Sequence, residues 1–150
     1  LYLNVGMAKV SSSAQEAMDL GLLRKGIDAI SINKNRRIAD AKAAVIGLAN
    51  KGYRPPVNEK KIKVLGKQIL GSFLVGADAM FHAGFITEHE KLMSEKLGHV
   101  IAGGERSSPT LVSEQYLLDL EREAFLSLTG ERKTLERIEH MLKKGKPLRN

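Results

Sequence analysis

Cysteine is absent from the 150 residues, and tryptophan with it. Without thiols there is no disulfide framework, no thiolate metal site and no cysteine nucleophile. Aromatic residues make up only 5% of the chain, so its packing has to be aliphatic. No long uncharged apolar run is present. The most apolar window, residues 69–86, contains Asp78 and His82 and reads as amphipathic rather than membrane-spanning. No membrane partner is expected. The start lacks the basic region and apolar run of a secretory signal, which places the chain in a cytoplasm. It opens at Leu1 with no Met, as expected for a chain processed or cut from something longer.

What is abundant is positive charge, a formal net +7. That balance raises the possibility of a free-standing basic helical module for nucleic acid or another polyanion. The distribution argues otherwise. The cations are spread over residues 24–25, 34–37, 51–67 and 143–149, interleaved with acids. No aromatic stacking platform and no zinc, homeodomain or RNA-binding signature accompanies them. We therefore expect no nucleic-acid partner, and keep the polyanion module as the alternative reading.

Apolar spacing is mostly helical. From Ser113 to Leu128, residues Leu117, Leu120, Ala124 and Leu128 recur at three- and four-residue steps, with Leu118 and Phe125 one place along. Ser113 can cap that helix and Gly130 can end it in the left-handed conformation. A stripe this wide needs cover, so the other helices are expected to pack around it. Ser13 to Glu16 is a capping box opening a short helix that Gly21 closes. Asn33 caps a helix to Lys51, with Ile38, Ala41, Val45 and Leu48 inward. Tyr53-Arg54-Pro55-Pro56 then enforces an extended linker. Further helices are expected over 67–83, from a second capping box at Thr87 to Gly103, and over 134–144. Gly71 and Gly76 inside the first of these mark places where another helix comes close, given the cost of glycine there. Leu1, Leu3 and Val5 alternate as in a strand, and 27–32 and 62–65 are candidate short extended pieces. The expected fold class is all-α, with five or six amphipathic helices and vestigial strands at most.

The search for chemistry is largely negative. His82, His89, His99 and His140 fall in three helices with no metal-binding spacing. Gly103-Gly104-Glu105 is not a phosphate loop, and no glycine fingerprint exists to hold a dinucleotide. Glu121 and Glu123 point apart on a helix. Ser107 and Ser108 have no nucleophile-elbow context. We assign no catalytic, cofactor-binding or metal-binding residue. Lys34, Arg36 and Arg37 near a helix start are a candidate weak contact for the phosphates of an acyl-CoA, against the plainer reading of a solvated basic turn.

Family resemblance adds what the residues alone do not. Ala14-Gln15-Glu16-Ala17-Met18-Asp19-Leu20-Gly21-Leu22-Leu23 resembles a late helix of the crotonase (enoyl-CoA hydratase/isomerase) family. Gly52-Tyr53-Arg54-Pro55-Pro56, the run from Ser113 to Phe125, and Glu136 through Leu142 followed by Gly145-Lys146-Pro147-Leu148-Arg149-Asn150 extend the likeness. Together they resemble the C-terminus of bacterial multifunctional 3-hydroxyacyl-CoA dehydrogenases that carry a crotonase region. The resemblance implies residues 1–52 as the end of a crotonase-like region, 53–66 as linker and 67–150 as a C-terminal helical subdomain. It implies fatty-acid β-oxidation for the parent protein, with NAD and acyl-CoA bound by the parent, and upstream domains of the parent chain as partners. None of the family's catalytic positions falls in this sequence, so the segment alone is expected to be inactive and to serve a structural or oligomerisation role. The apolar side of Ala14, Ala17, Met18 and Leu20 suggests self-association through residues 1–23.

Overall fold

The computed structural model describes residues 2–55 and 61–150. The chain divides into two compact units, Leu1–Gly6 with Glu59–Asn150, and Met7–Asn58. Among the described residues the architecture is all-α: seven helices and one two-stranded antiparallel sheet. The count exceeds the expected five or six because the residues that alternate like a strand near the start form a one-turn helix, α1 (Tyr2–Gly6).

In the larger unit the centre is α5 (Glu88–Ala102), which α1, α4 (Lys67–His82) and α6 (Glu114–Thr129) all touch. This corrects the expectation that α6 organises the fold. The stripe of α6 does turn inward, but Leu117, Leu120, Ala124 and Leu128 are only half-buried, and Leu118 and Phe125 stay exposed. The α5 helix is framed at both ends. Thr87 and Glu90 make the full reciprocal capping box, and Gly103 closes the helix at φ 78°. A Cβ on Gly103 would lie 2.5 Å from the Val64 side chain, so this turn needs glycine twice over.

That contact ties α5 to the sheet. β1 (Ile62–Val64) pairs with β2 (Thr110–Val112) in the register Ile62↔Val112, Lys63↔Leu111 and Val64↔Thr110. The extended piece at 62–65 was legible; its partner lay in what read as loop. Val64 and Val112 are buried, and the helices add Leu70, Ala77 and Ala102 to the core. The close approach of α4 and α5 is at Gly98, where a Cβ would stand 3.0 Å from the Cβ of Phe73. Gly71 and Gly76 have nothing within 4 Å, so they are not the contact glycines. Tyr2 of α1 stacks on Phe73 at 4.2 Å between ring centroids and donates its hydroxyl to the Ser94 carbonyl. After α6, Gly130 stays right-handed at φ −73°, and α7 (Arg132–Lys144) follows at once. Gly130 is therefore a short joint rather than a left-handed stop.

The smaller unit holds α2 (Ala14–Asp19) and α3 (Arg37–Asn50). Ser13 caps α2 by accepting from the Glu16 amide, while the Glu16 carboxylate accepts from Ser12 rather than Ser13. Asn33 caps only a turn, accepting from the Asn35 amide, and α3 begins later with no side-chain cap at Arg36. No strand forms at 27–32. Residues 53–55 have no regular structure, and the rest of the proline linker at 56–60 lies outside the described residues.

Candidate functional site

The three cations singled out for phosphate contact do not converge on a pocket. Lys34 lies in the turn before α3, Arg36 immediately precedes the helix without capping it and Arg37 opens it, all exposed. Arg36 is committed to Asp40 at 3.5 Å, and Asp40 also accepts from the Ser31 hydroxyl at 2.6 Å. The geometry is that of a solvated basic turn.

The histidines lie on three helices and have different neighbours. His82 bonds the Asp78 carbonyl of its own helix. His99 sits beside a shallow groove of about 390 Å³ along α5, floored by Leu70, Leu74, Leu92 and Leu120. Among the described residues no three His, Asp or Glu side chains could share a metal ion. Ser107 and Ser108 are exposed, and so are Glu121 and Glu123. Among the described residues the sheet is a pair of three-residue antiparallel strands, and no strand–glycine turn–helix unit of the kind that receives a dinucleotide pyrophosphate is present.

His89 is the exception, and spacing gave no sign of it. It is 5% exposed in the first turn of α5, and its Nε2 lies 2.9 Å from the Thr134 hydroxyl of α7. Burial, with Arg137 and Lys133 nearby, pushes its pKa below the ordinary histidine value. The next residue, Glu90, receives Arg149 through two bonds of 3.0 and 2.8 Å and faces Arg137 at 3.5 Å. Hydrogen bonding from Arg149 holds the Glu90 carboxyl at about 2. Asn150 completes the cluster, donating to Glu136 and to the Lys133 carbonyl while accepting from Arg137. A polar knot, buried at His89 and Thr134 and exposed at Arg149, therefore fastens α7 and residues 149–150 onto the start of α5. The His89 and Thr134 side chains at its centre are both buried and join helix to helix.

The other distinctive feature is uncovered apolar surface. Nothing on α3 is buried: Ile38 is 76% exposed, Val45 64% and Leu48 50%. Leu3, Val5, Met7, Val10, Leu22 and Ile32 are exposed as well. On α2, by contrast, Ala17 is buried and Ala14, Met18 and Leu20 are partly covered. The uncovered surface is thus not the α2 face that the sequence suggested.

An apolar face with no cover asks what the chain is part of. It is 49% identical over 146 residues, 97% of its length, to a protein of Bacillus subtilis (strain 168) described as "Probable 3-hydroxyacyl-CoA dehydrogenase". The likeness is to a dehydrogenase. The chain spans 18% of that dehydrogenase's length, so the comparison covers a small part of the relative and nearly all of this chain. No family model matches the chain, and no solved structure matches it. No helix among the described residues is long and apolar enough to cross a membrane.

Proposed function

We propose that this chain is the C-terminal helical part of a 3-hydroxyacyl-CoA dehydrogenase of fatty-acid β-oxidation that also carries a crotonase region. Its role is structural: residues 7–58 complete the packing of that enzyme's upstream domains, and self-association through residues 1–23 is a further role. NAD and acyl-CoA are bound by the parent protein upstream of this chain, in the cytoplasm. The observation that carries the reading is the match of 97% of this chain to 18% of a dehydrogenase. The bare α3 supports it, because a helix with apolar residues at 38, 41, 45 and 48 and none buried is built to be covered.

The purified chain should show no hydration of crotonyl-CoA and no NADH-dependent reduction of acetoacetyl-CoA. Enolate stabilisation needs aimed donors, each worth about 10²–10³ in rate, and the resemblance puts the family's set upstream of this chain. Turnover above a denatured control would contradict the proposal. Supplying the upstream polypeptide separately should produce a complex, and Val45→Glu should abolish it.

A further inference from the structure

The last helix of the chain is attached by an unusual side. Its sequence is strongly amphipathic, with Leu135, Ile138, Met141 and Leu142 at helical spacing. Yet its anchors to α5 are polar: buried Thr134 on His89, and Arg137 on Glu90 at 17% and 18% side-chain exposure. The apolar stripe is turned aside, leaving Leu135 at 52% and Leu142 at 82% exposure. The polar knot fixes that rotation of the helix, so the exposure is part of the fold.

The charges around the stripe select its occupant. Arg132 and Lys133 stand at one end, Lys143, Lys144 and Lys146 at the other, with Arg132 paired to Glu136 and Lys143 to Glu139, and residues 131–150 carry seven Lys or Arg against three Glu. An antiparallel copy would set Arg132 and Lys133 against Lys143 and Lys144, and a parallel copy would set each pair against itself. Like charge opposes a second copy in both arrangements. A low overall hydrophobicity, a concentrated leucine stripe and lysines alongside it are the properties of a helix that lies in a lipid interface. We infer that α7 is a peripheral attachment site for an anionic lipid surface, with Leu135 and Leu142 entering the headgroup boundary and the flanking lysines meeting the lipid charge. This departs from the expectation of no membrane partner, which rested on the lack of a spanning run. A helix lying in the interface needs none.

Flotation of the chain with phosphatidylglycerol–phosphatidylcholine vesicles, against phosphatidylcholine alone, tests it. Binding should favour the anionic vesicles by roughly tenfold or more at low ionic strength and weaken with salt. Leu135→Gln with Leu142→Gln should lower it by roughly tenfold without changing net charge or the unfolding midpoint, since both leucines are more than half exposed. Lys144→Glu with Lys146→Glu should lower it as well. Equal binding to both vesicles, or no binding, overturns the inference. So does a glutamine pair that binds like the parent sequence, because generic attraction of a basic protein would then suffice. A dimer in sedimentation that the glutamine pair dissolves would assign the stripe to a second copy and also overturn it.

Discussion

Two helices of similar length and similar apolar spacing, α3 and α4, meet opposite fates. On α4, Leu70 and Ala77 are buried, Phe73 receives both Tyr2 and Gly98, and Lys91 of α5 reaches Asp78. On α3, four apolar residues step along the helix and none is buried. Periodicity is a property of the helix alone, while burial requires a second surface. The larger unit supplies that surface from its own helices and sheet. The smaller unit does not supply one for α3.

The contrast can be broken from either side. The largest effect is expected at Gly103, where a side chain would be forced into Val64 and into an unfavourable backbone conformation. Gly103→Val should cost about 3 kcal/mol or more in a denaturant titration that follows the larger unit. Loss of less than about 1 kcal/mol, on the order of an ordinary surface change, would show that the junction of α5 and β1 yields easily.

Next comes the polar knot. Thr134→Val leaves the His89 ring without its partner and should cost about 1–3 kcal/mol. The pH dependence follows from the direction of each shift. His89 has a lowered pKa when folded, so the unfolded chain binds more protons as pH falls below the ordinary histidine value, and stability drops there. Glu90 is likewise lowered, to about 2, so its contribution is complete above the ordinary glutamate value and is lost as pH falls from there towards about 2. Thermal midpoints should therefore decline in two stages. His89→Asn should remove the upper stage and Glu90→Gln should shrink the lower, to which Glu16, Asp28, Asp78, Glu136 and Glu139, also lowered, add; a decline unaltered by either variant would place the acid sensitivity elsewhere.

The smallest effect is predicted where the sequence promised a large one. Val45→Ser on α3 should change the stability of the isolated chain by less than about 0.5 kcal/mol, as at an ordinary surface position. A loss of several kilocalories would mean that the face is covered within this chain.

Much of this fold is readable from local chemistry. The capping box at Thr87 with Glu90, the cap at Ser113, and the ends of α4 and α5 all follow from residues within one turn of each other. What escaped depends on distance. β2 is visible only through its pairing with β1, far earlier in the chain, and a three-residue strand has too few positions to show alternation. Gly98 marks the close helix contact while Gly71 and Gly76 do not, because the cost of a glycine says nothing about which neighbour it meets. His89 and Thr134 are 45 residues apart and each reads as an ordinary helix residue. The bare face of α3 could not be read in advance, since spacing gives the face but never its partner.

Native-state hydrogen exchange measures the contrast most directly. In the isolated chain, amides in the middle of α4 and α5 should exchange only through global unfolding, while those of α3 should exchange through local opening far more easily. If the proposed parent enzyme is right, adding its upstream part should protect α3 and leave α4 and α5 nearly unchanged. Equal protection of α3 and α5 in the chain alone would contradict the account.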